Sequence, residues 1–259
     1  MTPPPRRMPA ILLTASVLLG MHPAAAGEPA AAAAAAERAD TALVLAVDVS
    51  GSVDGVRFGL QMEGIAKAFE DARVQQAILS GPHRAIVVAL VEWSTKPHLG
   101  LPWTLVTSAE DARALAARIR TLPRVDAQFT CMSAALRFVD EKVLPRLPVA
   151  ADRTVIDVSG DGEDNCNPHE PVDAVRTRIV GGSDSVVING LPILVGEQAG
   201  TLEDWYGEHV VGGPGAFVLA ASGYDDFDRA MRQKFIMEIS GTVPSAPAPL
   251  AARSDAAAR

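Results

Sequence analysis

Asp48, Ser50 and Ser52 stand at alternate positions directly after the apolar run Leu43-Val44-Leu45-Ala46-Val47. A run this rich in Val and Leu reads as a buried strand. Gly51 then lets the backbone turn sharply, so side chains past the strand end can converge instead of alternating. One carboxylate and two hydroxyls form an all-oxygen half-site for a hard divalent cation such as Mg²⁺. The same triplet also reads as a plain turn in which Asp and Ser bond local amides. The other segments of the chain must therefore supply the missing ligands.

Two segments can do so. Thr154-Val155-Ile156-Asp157-Val158-Ser159 is a second strand candidate, and Gly160-Asp161-Gly162 follows it. Asp161 thus sits past a strand end between two glycines, where backbone can approach an ion closely. Thr130 stands at the mouth of a helix predicted from Cys131 to Val139. A hydroxyl in that place is usually an N-cap, and that is the competing reading of Thr130.

In this order the pieces, Asp48-x-Ser50-x-Ser52, Thr130 and Asp161, resemble the metal-ion-dependent adhesion site of the von Willebrand factor A domain. The resemblance implies a cation held by Asp48, Ser50, Ser52, Thr130 and Asp161, Mg²⁺ with Mn²⁺ or Ca²⁺ as substitutes. Val91-Glu92-Trp93-Ser94, Pro102-Trp103-Thr104, Ile188-Asn189-Gly190-Leu191 and Gly212-Gly213-Pro214-Gly215-Ala216-Phe217 are similar to a bacterial branch of secreted A-domain proteins without assigned function.

The elements needed to position these residues alternate strand with helix. Strands are expected at 43–47, 85–93, 96–103, 154–159 and 186–195, the third at an edge because Pro97 and Pro102 cannot donate ladder hydrogen bonds. One long helix is expected over 56–79, and others over 109–122, 131–139 and 171–180, near Trp205 and over 224–239. Asn189-Gly190 is read as an irregularity within one strand, not as a hairpin turn. The fold class is α/β: a three-layer, doubly wound, mostly parallel sheet. Such sheets bind ligands beyond the carboxyl ends of the strands, where Asp48 and Asp161 fall.

Arg6 and Arg7 precede the apolar run Met8–Leu19, and Ala24-Ala25-Ala26 resembles a cleavage signal. The expected organisation is a signal peptide over 1–26, an Ala-rich linker over 27–40, one domain over 41–241 and an Ala/Pro-rich tail over 242–259, in an exported, periplasmic or secreted protein. The net charge of −8 and the lack of a basic stripe exclude nucleic acid as a partner. Outside the leader no stretch is long and apolar enough for membrane insertion. The two cysteines, Cys131 and Cys166, follow Thr130 by one residue and Asp161 by five. If Thr130 and Asp161 meet one metal, the sulfurs can meet too. Such a bridge would contribute about 3–4 kcal/mol in the chain-entropy model.

The function expected is a non-catalytic binding module whose ion captures an Asp or Glu carboxylate of a partner protein. A phosphate-ester hydrolase with Asp48 as nucleophile is the enzyme alternative, but Ser50 stands where such enzymes usually carry a second acid. A third alternative is a structural domain whose metal only stabilises the fold. Glu163 and Asp164 read as solvated loop acids, Asp157 as a buried acid in need of a partner, and Glu92 as a structural acid. Trp93, Trp103 and Trp205 read as packing; His83, His98, His169 and His209 read as surface histidines.

Overall fold

A computed structural model describes residues 38–125, 128–166 and 170–241. The expected leader, most of the expected linker, the tail and His169 lie outside these residues. Five strands, β1 (Arg38–Asp48), β2 (Ile86–Trp93), β3 (His98–Val106), β4 (Ala150–Gly160) and β5 (Val186–Pro192), form one sheet in the order β3-β2-β1-β4-β5. All neighbours are parallel except β2 and β3. Helices α1 (Gly55–Glu70), α2 (Ala72–Ser80), α3 (Ala109–Arg120), α4 (Met132–Phe138), α5 (Val172–Gly181), α6 (Leu202–His209) and α7 (Phe227–Ser240) cover it.

Strand alternation sorts the core into two layers. Leu43, Leu45 and Val47 face α1, α2, α3 and α7, with Phe69, Phe227 and Phe235 packed over them. Val44 and Ala46 face α4, α5 and α6, with Trp93, Met132 and Tyr206. Both faces of the central strands are dry, which explains their near-continuous hydrophobic composition. Successive crossovers from β1 run to opposite sides, toward β2 and toward β4, so the switch point lies between β1 and β4.

Several boundaries differ from the sequence reading. β1 begins at Arg38, three residues before the expected domain start, because Arg38 and Ala39 already pair with Ala150 and Ala151. The single helix expected over 56–79 is two. At Asp71 the backbone turns extended, and its carboxylate caps the next helix at Arg73 N (2.8 Å). A capping acid there outweighs an apolar periodicity that runs on through Phe69 and Ala72. The edge strand runs to Val106, antiparallel, and α4 continues into a π-helical turn over Val139–Val143. Asn189 and Gly190 do lie within one strand, β5. Asn189 Oδ1 accepts from Phe217 N (3.0 Å), and a Cβ on Gly190 would stand 2.7 Å from Tyr206 Cδ1.

Asp157 has the partner its burial demands. Lys234, fully buried on α7, places Nζ 2.9 Å from Asp157 Oδ1 and also pairs with Glu238 on its own helix. Asn189 Nδ2 donates to Glu238 (2.8 Å), so one cation and one amide hold two acids between α7 and the sheet. Removing the cation leaves buried charge uncompensated, which costs more than the intact pair is worth. Lys234→Ala should lower unfolding stability by about 3–5 kcal/mol in denaturant titration. A loss below about 1 kcal/mol would show that the acids need no counter-ion there.

Candidate metal centre

The centre is built at the carboxyl ends of β1 and β4. Asp48 is the last residue of β1 and fully buried. Its Oδ1 accepts the Ser50 N–H at 2.7 Å, a local bond that folds the chain back over the strand end. Ser50 is buried beneath the turn, and Ser52 is exposed at its mouth. Their hydroxyl oxygens lie 3.2 Å apart, and Ser52 Oγ donates to Asp161 Oδ1 at 2.5 Å. Asp161 directly follows β4 and is 7 % exposed. Carboxylates and hydroxyls from two adjacent parallel strands thus converge at the switch point.

Asp48 Oδ2 is buried with no hydrogen-bond partner among the described residues. It faces Gly160: a Cβ there would come within 2.9 Å of both Asp48 Oδ2 and the Tyr206 hydroxyl. Gly160 is therefore the residue that lets the two strand ends approach. Burial pushes the Asp48 carboxyl up to about 7, opposed by the Ser50 N–H and reinforced by the neighbouring Asp161 charge. An acid so placed is destabilised as an anion until a cation reaches it.

Thr130 is 5 % exposed beside the turn after β4, where its Oγ1 would lie 3.9 Å from a Cβ on Gly162. It does not cap α4. The N-cap position is Cys131, and the amide of Ser133 is taken by Asp164 Oδ2 at 2.9 Å. Asp164 Oδ1 accepts from Cys166 N at 3.0 Å. The expectation that Asp164 is a solvated loop acid is thus corrected: it fastens α4 to the 161–166 turn. With the cap supplied from elsewhere, the Thr130 hydroxyl is released from that duty. Thr130 N and O bond Asn165 Oδ1 and N, at 2.8 and 3.0 Å. The Cys131–Cys166 disulfide closes the same joint, with Cα atoms 5.0 Å apart.

Three contributors were not singled out from sequence. Tyr224 donates its hydroxyl to Asp161 Oδ2 at 2.9 Å, and burial, reinforced by that carboxylate's charge, pushes its own pKa well up and keeps the phenol protonated. Arg57 on α1 donates to Ser52 O at 2.6 Å, stands 3.7 Å from Asp161 Oδ2 and stacks over the Tyr224 ring at 5.3 Å. Gln61 Nε2 reaches from α1 to Asp48 O at 3.0 Å. Tyr224 lies far from Asp48 and Asp161 in sequence, and Arg57 and Gln61, although close after Ser52 on α1, reach the site only through the way that helix packs.

Glu92 is not at the centre. It is buried on β2, its carboxyl pushed up by burial to about 7, with His98 Nε2 at 2.9 Å on the neighbouring edge strand. A second set of donors, Asp40, His83 and Asp152, has atoms within 4.8 Å of one another. It lies at the opposite, amino-terminal end of the parallel strands. There Asp40 accepts from the amides of His83 and Ala85, and Asp152 pairs with Arg38 and His83, so the trio serves to tie strand starts together.

The fold is that of a von Willebrand factor A-like domain. Solved structures with this architecture include proximal thread matrix protein 1 from the mussel byssus (14 % identity, 79 % of this chain and 47 % of that chain, TM-score 0.56). One form of that protein is described with a zinc-occupied MIDAS motif. The pilus adhesin SpaC from Lactobacillus rhamnosus GG (14 %, 78 % and 31 %, 0.57) and a von Willebrand factor type A protein from Catenulispora acidiphila (14 %, 78 % and 43 %, 0.53) are also similar. The chain spans less than half the length of each, and at these identities the likeness concerns the fold. No curated protein matches the sequence. Within the A-like class, the chain belongs to the family described as "Protein of unknown function (DUF1194)", which matches residues 38–243.

The raised Asp48 carboxyl gives the metal-free protein a pH signature. Between the ordinary value of 3.8 and about 7 the native state binds a proton that the unfolded chain releases. The stability this group contributes is therefore full below pH 4 and lost as pH rises through 7. Asp48→Asn keeps an acceptor for Ser50 N but carries no charge. In chelator it should melt higher than the parent at pH 8 and with it at pH 4. Parallel melting profiles for the two across that range would contradict the assignment.

Proposed function

We propose that the protein is an exported, non-catalytic binding module that holds one divalent cation and captures an acidic side chain of a partner protein through it. The ligands are Asp48, Ser50, Ser52, Thr130 and Asp161, and the native ion is Mg²⁺, with Mn²⁺ or Ca²⁺ as substitutes. The observation that carries this reading is the buried Asp48 Oδ2, which has no hydrogen-bond partner among the described residues, at a strand end where Ser50, Ser52 and Asp161 are joined through their side-chain oxygens. The donor set is entirely oxygen, with two formal negative charges, which suits a hard cation. Such an ion supplies an electrophile that a partner's carboxylate can complete.

The chain's own residues set what the ion can do. Asp48 and Asp161 together balance the ion's two charges, so the ion would stay electrophilic toward a further carboxylate where some of its ligands act through water and a position stays open. Arg57 adds positive potential at the mouth, and Tyr224 holds Asp161 in orientation. Zinc in the MIDAS motif of the mussel protein, and the role of SpaC as a pilus adhesin, support the same use of this architecture. The disulfide and the apolar leader support export. No helix among the described residues is long and apolar enough to cross a membrane. Against nucleophilic catalysis by Asp48 stands Ser50, whose amide occupies Asp48 Oδ1 and whose side chain cannot act as a second acid.

Two measurements test the proposal. Mg²⁺ at about a hundred times its Kd should add about 2.7 kcal/mol of stability, and Asp48→Ala should abolish the increment. Capture of a specific partner from native envelope extract should require Mg²⁺ and fail in chelator and in Asp161→Ala. Metal-dependent turnover of a phosphate ester, lost in the same variant, would replace binding with hydrolysis. A stability increment with neither partner nor turnover would leave the ion a purely structural role.

A further inference from the structure

Large apolar side chains are well hidden in this domain, and the exceptions are not scattered. Among the described residues the exposed ones are Val56 (73 %), Phe129 (52 %), Val125 (41 %), Leu60 and Leu99. Four of these five come from two short segments: the first two turns of α1, which begin three residues after Ser52, and the stretch that leads into Thr130. Scattered apolar exposure is ordinary on any surface, but a cluster beside a candidate site is not.

Hydrogen bonds place the two segments together. Gly51 N donates to Gln128 O at 3.2 Å, Arg124 Nε to Val53 O at 2.9 Å, and Phe129 N to Thr95 Oγ1 at 3.1 Å. The Thr130 approach therefore lies along the 51–53 turn. Helical spacing puts Val56 and Leu60 on the stripe of α1 that continues through Glu63 and Glu70. Arg120, at the end of α3, pairs with both of those acids. Through the bonds of Arg124 and Gln128, the segment that carries Val125 and Phe129 and the start of α1 that carries Val56 and Leu60 both flank the 51–53 turn at the mouth. Arg57 and Tyr224 border it on another side. The mouth thus has an apolar side, a cationic side and the hydroxyl of Ser52 between them.

We infer that this apolar border is the specificity surface of the metal centre, and that its occupant is a partner segment carrying a bulky apolar side chain within two residues of the captured Asp or Glu. The inference rests on the metal-capture reading and adds the character of the ligand. Charge complementarity selects the carboxylate, since the cation and Arg57 face it. The apolar border selects its neighbour, because Phe129 and Val56 lose contact with water only if an apolar group covers them. Strand spacing lets a residue two positions from the acid point to the same side of an extended segment, within reach of the border.

Three capped pentapeptides serve as probes: a central glutamate with phenylalanine two positions away on each side, the same glutamate with serine at those positions, and a central glutamine with phenylalanine there. Affinities are read by NMR titration of the full chain in Mg²⁺ and in chelator. The phenylalanine-flanked glutamate peptide should bind about tenfold more tightly than its serine counterpart, the gain expected of one partly covered ring. That ratio should fall to about one in Phe129→Ser/Val125→Ser, and independently in Val56→Ser/Leu60→Ser, each checked by its melting temperature. Equal, metal-dependent binding of both glutamate peptides would overturn this inference and leave the capture reading standing. Failure of both glutamate peptides to bind in Mg²⁺ would overturn the capture reading itself, and this inference with it. Equal binding of the glutamine peptide would show an apolar patch unconnected with the metal, which also overturns it.

Discussion

A carboxylate is buried at the end of the central strand with one oxygen satisfied and the other not, and the surrounding structure is arranged about that fact. Asp48 Oδ1 is tied to the Ser50 amide, while Oδ2 points toward Gly160 and Tyr206 with no hydrogen bond among the described residues. Burying an unpaired charge costs several kcal/mol, enough to unfold many domains of this size. A fold keeps such a group where something else stabilises its charged form. The switch point of a parallel sheet suits that need, because two strands end side by side and their loops part to either side.

The neighbouring elements follow from that constraint. Gly160 is required because any side chain there would strike Asp48 and Tyr206. Asp161 is oriented by Ser52 and Arg57, from the turn after β1 and the start of α1, and by Tyr224 from near the other end of the domain. Asp164 and Asn165 lock the turn after β4 to Thr130 and α4, and the disulfide adds a covalent tie at the same joint. Farther off, the Asp157–Lys234–Glu238 set fixes α7 against β4 and β5, so the sheet that carries both strand ends is anchored from behind.

Much of this was legible in the chain because it depends on local spacing. Alternate Asp48, Ser50 and Ser52 after an apolar run, and Asp161 between glycines after another, need only strand periodicity to be placed. Thr130 was ambiguous for a physical reason: whether its hydroxyl caps α4 is decided by Asp164, which stands thirty-odd residues later and takes the cap itself. Tyr224 and Tyr206 carry no local signal at all, since their relation to the site is made by packing, and Arg57, five residues after Ser52, reads as an ordinary exposed helix residue until α1 is placed. Boundaries failed where polar residues do structural work. Arg38 and Asp40 open β1 although their composition reads as linker, and Asp71 divides one apolar periodicity into two helices.

The most direct test of the account is anomalous diffraction from crystals grown with Mn²⁺. A single strong peak is predicted at the carboxyl ends of β1 and β4, within bonding distance of oxygens from Asp48, Ser50 and Ser52. A peak at Asp40, His83 and Asp152 instead, or no peak at the switch point under Mn²⁺ saturation, would contradict it.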